Sequence, residues 1–230
     1  MARKEKKPEI QYDNKKYLRI PLKTHVVMRD DKLMDVVTKY ASDALEEGDL
    51  LFVSEKIVAI TQGRAIPLKD ITPRPLARFL SNHVTKTPAG IGLGMPETME
   101  MALRECGIFR ILMAAAGSAI TKPFGRKGVF YEIAGYKAQS IDGPTPNTIP
   151  PYNQYVVLGP AHPDKVAEEI SQTLGCDVAV VDINDIDGVI LGVSNKSLDK
   201  AKIKGILKDN PLGQDHEQTP MGIIREVNGQ

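Results

Sequence analysis

The spacing of apolar residues along this 230-residue chain predicts a mixture of helices and strands. Apolar positions three and four residues apart predict helices over residues 31–44, 72–84, 96–106, 164–174 and 198–207. In the second of these helices, Phe79 is predicted to point inward. Alternating or continuous apolar runs predict strands over residues 17–28, 50–53, 57–60, 108–116, 129–134 and 154–158. Pro21 inside the first strand indicates a sheet edge or a bulge.

An acidic turn joins two further apolar strands between residues 177 and 195. Asp182, Asn184, Asp185 and Asp187 fall within six positions, and Gly188 follows them. Carboxylates this close repel each other unless water, a cation or a basic group offsets their charge. Hard oxygen ligands of this kind suit Mg²⁺ or Mn²⁺, which makes Asp182 and Asp185 candidate metal ligands. An Asx-rich turn without a metal accounts for the same residues, and the turn alone leaves both interpretations open.

Composition restricts the class of protein. Hydrophobic residues make up 42% and charged residues 26%, which is typical of a globular protein in water. A net charge of +1 argues against a broad nucleic-acid surface. No apolar run has the length of a membrane span. Cys106 and Cys176 fit no metal-binding pattern and favour a reducing cytoplasm. We therefore expect a cytoplasmic protein whose partners are small molecules, with neither a nucleic-acid nor a membrane partner.

Two stretches bear on domain organisation. Residues 1–15 begin with a run of basic residues and are predicted to be a disordered, solvated tail. Residues 141–153 carry four prolines and a glycine, which predicts a stiff, extended connection and a subdomain boundary near that point. The remainder, residues 16–230, is expected to form a single unit.

Two polar loops are further candidates for ligand contact. Lys122, Arg126 and Lys127 lie between glycines and could hold a phosphate or a carboxylate, and an exposed hairpin turn explains them equally well. Close to the C-terminus, a polar loop carries groups able to contact a purine, a ribose or a metal: Gln214, His216, Glu217 and Gln218. A single histidine in such a loop is more often solvated than bound to metal. The glycines of residues 87–96 match no phosphate-binding motif.

Four segments, taken together, resemble the coenzyme F420-0:L-glutamate ligases, also called gamma-glutamyl ligases. They are EGDLLFVSEKIVAITQGR at 47–64, RIPLKTHVV at 19–27, VVD at 180–182 followed by LGVS at 191–194, and NPLGQ at 210–214 followed by PMGIIR at 220–225. Each motif is weak alone, and the ordered set covers most of residues 18–227.

The resemblance implies an α+β fold of mixed sheets with flanking helices and two interleaved subdomains. It also implies a homodimer that uses GTP as a substrate, together with Mg²⁺ or Mn²⁺. GTP would phosphorylate a substrate carboxylate, and the amine of L-glutamate would attack the acyl phosphate to give an amide. Carried over by position, Asp182 takes the metal and Ser54, Glu55 and Lys56 lie near the phosphates or substrate. The nucleotide contacts would come from Thr24, His25, Asn210, Gly213, Gln214 and Glu217.

Three departures from the family pattern lead us to expect a divergent branch. Ala116 and Gly117 are followed by Ser118 where the family has a metal-binding aspartate. Ala59-Ile60 replaces a Ser-Lys pair. The third departure is the acidic turn, which carries Asp185 and Asp187. These carboxylates, or the cations of residues 122–127, are candidates to substitute for the missing aspartate and the missing lysine. Two alternatives to a ligase follow: a non-catalytic homologue that binds a nucleotide or phospholigand, and a structural protein whose acidic turn is only a turn.

Overall fold

The computed structural model describes residues 6–84, 92–126, 128–145, 148–185, 188–213 and 216–227. It divides into two compact units. The first unit comprises Met1–Gly63 and Pro160–Gln230, and the second comprises Arg64–Gly159. The second unit is therefore an insertion within the first, and residues 141–153, the predicted boundary, lie inside it.

Helices and strands alternate irregularly along the chain. The strands are β1 (Glu9–Tyr12), β2 (Lys15–Leu22), β3 (Leu50–Ser54), β4 (Ala65–Pro67), β5 (Tyr155–Val157), β6 (Asp177–Ile183), β7 (Gly188–Val193) and β8 (Met221–Val227). The helices are α1 (Leu33–Ala41), α2 (Glu55–Thr61), α3 (Pro75–Ser81), α4 (Pro96–Cys106), α5 (Ile108–Thr121), α6 (Val129–Ala134), α7 (Tyr136–Gln139), α8 (Pro163–Leu174) and α9 (Lys200–Ile206). None of the helices in the described ranges is long and apolar enough to cross a membrane. The α+β class expected from the sequence is confirmed.

The first unit is built on one mixed sheet of six strands in the order β1-β2-β8-β3-β6-β7. Only β3 and β6 pair in parallel, and the other neighbours are antiparallel. The central strands β3 and β6 are buried, with Leu51, Phe52 and Val53 at 0% exposure. The predictions of buried strands at 50–53 and of a strand-turn-strand unit at 177–195 are confirmed, because continuous β-branched runs suit strands covered on both faces.

The start of the chain contributes to this sheet. β1, which lies in the segment expected to be a solvated tail, pairs with β2 from Glu9 opposite Leu18 to Tyr12 opposite Lys15. Apolar Ile10 and Tyr12 alternate with polar residues and pack against the core of the sheet. Pro21 lies beyond the part of β2 that pairs with β1, where its missing N–H removes no bond to that strand.

The second unit is mainly helical, with the short antiparallel ribbon β4–β5. Its core combines buried residues from five helices and the ribbon, including Leu80, Met99, Leu103, Ile111 and Val156. The helix predicted at 96–106 is confirmed as α4. Phe79 was predicted to point inward and is 61% exposed, which corrects that prediction.

Three predicted strands are helices. Residues 57–60 belong to α2, because the Ser54 side chain accepts a hydrogen bond from the Lys56 N–H and caps a helix directly after β3. Residues 108–116 belong to α5, which contains four alanines, one leucine and one methionine and continues for 14 residues. Residues 129–134 form α6, which begins and ends at glycines with positive φ, Gly128 and Gly135. Short apolar runs do not distinguish a strand from a buried helix.

Candidate functional site

Four chain segments of the first unit meet at one edge of its sheet. β3 and β6 are parallel, with Ser54 opposite Val181, so their carboxyl ends lie side by side and Asp182 follows directly. The Ser54 N–H donates to the Pro220 carbonyl (2.8 Å), just before β8 begins. The Thr24 N–H, after the end of β2, donates to the Gln218 carbonyl (2.8 Å). We call the segments 23–25, 54–56, 182–185 and 218–220 the polar edge.

Asp182 and Asp185 form the acidic part of the polar edge. Asp182 pairs with Val189 near the end of β6 and is half-buried, whereas Asp185 is exposed in the turn. The Lys6 ammonium donates to Asp185 Oδ1 and to the Asp209 carbonyl (2.7 Å). Asn210 Nδ2 also reaches Asp185 Oδ1, at 3.4 Å. A basic group and an amide from elsewhere in the chain thus offset the charge of this turn.

The loop after α9 is held in an unusual backbone conformation. Asn210 is fully buried with φ +49°, and its Nδ2 donates to the Gly213 carbonyl at 2.9 Å. Asn210 Oδ1 is buried and finds no hydrogen-bond partner among the described residues. Such an oxygen is an acceptor available to a ligand, a cation or water. It lies on the same side chain whose nitrogen contacts Asp185.

Gly213 brings the loop close to Glu217. Its φ of +80° is in the left-handed region that favours glycine, and a Cβ at this position would lie 2.5 Å from Glu217 Cδ and displace that side chain. Thr219 Oγ1 closes the loop by donating to the Leu212 carbonyl at 2.5 Å. Gln214, the other predicted nucleotide contact in this loop, lies outside the described residues.

Arg19, on β2, fixes the loop that follows α9. Its side chain is 1% exposed and donates to both carboxylate oxygens of Asp209, to the Ile206 carbonyl and to the Lys7 carbonyl. Burial would raise the pKa of Asp209, but the Arg19 hydrogen bonds and charge outweigh it and hold that pKa below its usual range. Arg19 therefore fixes both the start of the loop and the segment that carries Lys6.

His25 is fixed in a closed set of contacts next to Thr24. Its Nδ1 lies 2.9 Å from the Tyr40 hydroxyl and its Nε2 lies 3.0 Å from Asp31 Oδ2. The Met28 N–H and His25 lower the pKa of Asp31. Since both ring nitrogens are engaged, His25 orders the loop that follows β2, and Asp31 contributes to that loop by contacting His25 and the Met28 N–H.

The predicted cation cluster belongs to the second unit. Lys122 and Arg126 follow α5, and Arg126 pairs with Glu132 at 3.4 Å. Lys127 lies outside the described residues. The other described candidates, from Thr24 to Glu217, belong to the first unit.

The donor chemistry of the polar edge is compatible with a hard cation bound by few protein ligands. Within the described ranges, no group of three or more His, Cys, Asp or Glu side chains is arranged to hold a metal. Mg²⁺ commonly takes one or two carboxylates and completes its shell with water and substrate phosphates. Asp185, with the unpaired Oδ1 of the Asn210 side chain that contacts it, provides part of such a set, and Asp182 lies three residues before Asp185 in the chain.

Sequence reasoning did not single out Lys6 or Arg19. Arg19 carried a recognisable signal, because it shares the inward face of β2 with buried Tyr17, where a charged side chain needs a buried partner. Lys6 carried none, because its contact with Asp185 joins positions 179 residues apart.

Together, the fold and the polar edge define a mixed α/β protein whose candidate site lies at the carboxyl ends of two parallel strands. A model of the F420-0:gamma-glutamyl ligase family matches residues 21–210, and the chain belongs to that family. It is similar to the coenzyme F420:L-glutamate ligase of Methanopyrus kandleri, with 29% identity over 174 residues, which cover 74% of this chain and 58% of that relative. The chain thus spans less than two thirds of that relative's length.

Proposed function

We propose that this protein is an acid–amino acid ligase that joins L-glutamate to the carboxylate of a small molecule resembling coenzyme F420-0, at the expense of GTP. The γ-phosphoryl group of GTP passes to the acceptor carboxylate, giving GDP and an acyl phosphate. The glutamate amine then displaces phosphate and loses a proton, leaving the amide. Family membership, together with the convergence of Asp182, Ser54 and the 209–220 loop on one sheet edge, supports this proposal.

The residues of the polar edge have distinct roles in it. Asp182, with Asp185 and Asn210 Oδ1, would hold Mg²⁺ or Mn²⁺, which neutralises phosphate charge when bound. Ser54 and Lys56 lie where β3 ends and would contact phosphate or substrate. The nucleotide would be contacted from two sides of the polar edge. On one side are Thr24 and His25, and on the other are Asn210, Gly213, Gln214 and Glu217. Asn210 and Gly213 hold left-handed conformations and are joined by a hydrogen bond from Asn210 Nδ2 to the Gly213 carbonyl, so these two residues would lose less entropy on binding.

The free, half-buried cysteines Cys106 and Cys176 are consistent with a cytoplasmic enzyme, and we propose that it acts as a homodimer.

The test is an assay of the purified chain with GTP, Mn²⁺, L-glutamate and coenzyme F420-0. Chromatography should show GDP formed in proportion to a product heavier by one glutamyl residue in mass spectrometry. Omission of L-glutamate should abolish the amide product. GDP release without any glutamylated product, or no turnover, contradicts the proposal.

A second candidate function is metal-independent binding of a nucleotide or phospholigand without catalysis. The contact between Lys6 and Asp185 favours it, because an ammonium on that carboxylate already offsets charge that a metal would otherwise neutralise. Titration calorimetry with GTP separates the two functions. Affinity that is unchanged by Mg²⁺ and by Asp182→Ala indicates the binding protein, whereas loss of affinity in either case indicates the ligase.

A further inference from the structure

The Lys6 side chain reaches the acidic turn across 179 positions of sequence. Its ammonium donates to Asp185 Oδ1 and, at 2.7 Å, to the Asp209 carbonyl. One acceptor lies in the turn after β6 and the other in the loop after α9, so Lys6 bridges two parts of the candidate site. The Lys6 side chain is 29% exposed and that of Asp185 is 53% exposed, which leaves the pair partly shielded from water. We call residues 6–8 the strap.

Arg19 holds the strap in place. Its Nη2 donates to the Lys7 carbonyl, and its backbone N–H donates to the Pro8 carbonyl at 2.7 Å. β1 then begins at Glu9 and is paired with β2. An exposed lysine normally loses side-chain entropy when it forms an ion pair, and this cost offsets much of the attraction. Because the backbone next to Lys6 is already fixed, less of the attraction is offset here.

The Lys6 ammonium lies against oxygens that also suit a metal ion. Asp185 Oδ1 and the Asp209 carbonyl are hard oxygen acceptors of the kind that bind Mg²⁺ and Mn²⁺. Asn210 gives an independent indication of a ligand, because it is fully buried and its Oδ1 has no hydrogen-bond partner among the described residues. Its Nδ2 lies 3.4 Å from Asp185 Oδ1, so this oxygen is close to the same carboxylate. A buried acceptor without a partner is costly unless a ligand or water binds it.

Lys6 and a divalent cation exclude each other at Asp185. Both would lie against the same carboxylate, and like charges a few ångströms apart repel strongly where water is partly excluded. Displacing Lys6 also breaks a charge-assisted hydrogen bond, which the metal has to replace. The Lys6 contact therefore weakens metal binding at Asp185.

We propose that the strap regulates the cation site: Lys6 occupies Asp185, and a divalent cation binds there by displacing the Lys6 ammonium. The proposal rests on the proposed function, because it uses the metal-binding role given there to Asp185. The strap lowers the affinity of the site for metal, and thereby sets the metal concentration at which the site fills.

The test is Mn²⁺ binding by the full chain, with free Mn²⁺ counted from its electron paramagnetic resonance signal. Lys6→Met should lower the Kd for Mn²⁺ about 5-fold relative to wild type, the factor expected when a partly shielded ion pair no longer competes. Lys7→Met is the matched control, because it removes the same charge from an exposed side chain at the next position. Its Kd should stay within about 2-fold of the wild-type value, since solvent and salt screen a charge that makes no contact with the site. Circular dichroism should show the same spectrum for all three, because neither lysine is part of the core.

A double variant separates competition at Asp185 from other effects of charge. In an Asp185→Asn background, adding Lys6→Met should leave the Kd for Mn²⁺ unchanged, because the carboxylate for which the two cations compete is absent.

Three results overturn the proposal: a Lys6→Met variant whose Kd is not lowered, an equal decrease in Lys7→Met, or a decrease that persists in the Asp185→Asn background. Absence of Mn²⁺ binding in every variant and in the wild type removes the metal-binding role of Asp185, and the role of the strap with it. The ligase reaction is judged separately, by GDP and amide formation in the wild type. Amide formation together with any of these results therefore contradicts the strap and not the ligase.

Discussion

Arg19 connects several parts of the chain at the candidate site. It joins β2, the end of α9, the Asp209 carboxylate and the Lys7 carbonyl, all from a side chain that is 1% exposed. We expect Arg19→Met to lower the free energy of unfolding by about 2–3 kcal/mol, because several acceptors lose their partner while Asp209 keeps part of its hydration.

Urea unfolding followed by circular dichroism measures that loss. Lys16→Met on the same strand is the matched control, since the Lys16 ammonium is exposed and pairs with exposed Glu9. Exposed pairs of this kind contribute about 0–1 kcal/mol. Equal losses in the two variants would show that Arg19 does not anchor the loop.

Asp182 is the residue on which the proposed reaction depends most. Asp182→Asn removes the charge from the end of β6 with little change in volume, so we expect the fold to persist. Under the ligase proposal, kcat/KM for amide formation should fall by at least about 100-fold. Asp177→Asn is the matched control, because Asp177 begins the same strand at its opposite, exposed end. Steady-state assays of GDP release that show equal rates for both variants would remove Asp182 from the mechanism.

At the scale of single residues, the local sequence was sufficient to locate part of the candidate site. The acidic turn and the 209–220 loop were recognisable because carboxylates, glycines and amides cluster there along the chain. The partners that hold them were not, because Lys6 and Arg19 reach Asp185 and Asp209 across 179 and 190 residues of sequence. Pairing over such separations is set by strand order in the sheet, which a single sequence does not specify.

At the scale of elements, the sequence predicted the strands β3 and β6 but failed at three apolar runs that are helices, and two of these, residues 57–60 and 129–134, are themselves rich in β-branched or aromatic residues. β3 is rich in leucine and valine and was predicted within one residue of its ends, and β6 lies within the strand-turn-strand unit predicted at 177–195. Residues 108–116 read as a buried strand, yet they lack β-branched residues apart from Ile108 and Ile111. Helix propensity and the length of the run decide that case, and both favour α5.

Helices α3 and α4 are joined by a buried carboxylate that makes stability depend on pH. Glu100 on α4 is 1% exposed and accepts hydrogen bonds from the Arg74 backbone and side chain and from Arg104. Burial alone would raise the pKa of Glu100, but these hydrogen bonds outweigh burial and lower that pKa. Its stabilising contribution is therefore complete above the unfolded pKa, about 4.3, and is lost as the pH falls through the lower folded value.

We expect Glu100→Gln to lower the free energy of unfolding by about 2 kcal/mol at pH 7. This loss is smaller than that for a fully buried ion pair, because the Arg74 and Arg104 side chains are half-exposed. The difference should shrink below about pH 4 as the wild-type carboxyl protonates. Chemical unfolding at a series of pH values measures it. Glu132→Gln is the control, since that carboxylate is exposed and its pair with Arg126 is long at 3.4 Å. A difference that stays constant down to pH 3 would contradict this assignment.

At the scale of the whole molecule, the second unit is a segment inserted between two close points of the first. The Gln62 side chain donates to the Ala161 carbonyl at 2.9 Å and accepts from the Ala161 N–H at 2.7 Å, which holds the two points together. Inside the second unit, the Leu158 N–H donates to the Arg64 carbonyl at 3.0 Å. Each unit also has its own buried core.

We therefore expect the first unit to fold without the second. Residues 1–63 joined to 160–230 by a short Gly-Ser linker should show strand and helix signals in circular dichroism and one cooperative thermal transition, because the linker spans a gap that Gln62 already closes. A smaller deletion, of residues 141–153, is the informative control. It removes Ile141 and Tyr152, which are 3% and 4% exposed, and should be the more damaging change although it removes far fewer residues. If the larger deletion melts without cooperativity while the smaller one is tolerated, the first unit does not hold its sheet without the second.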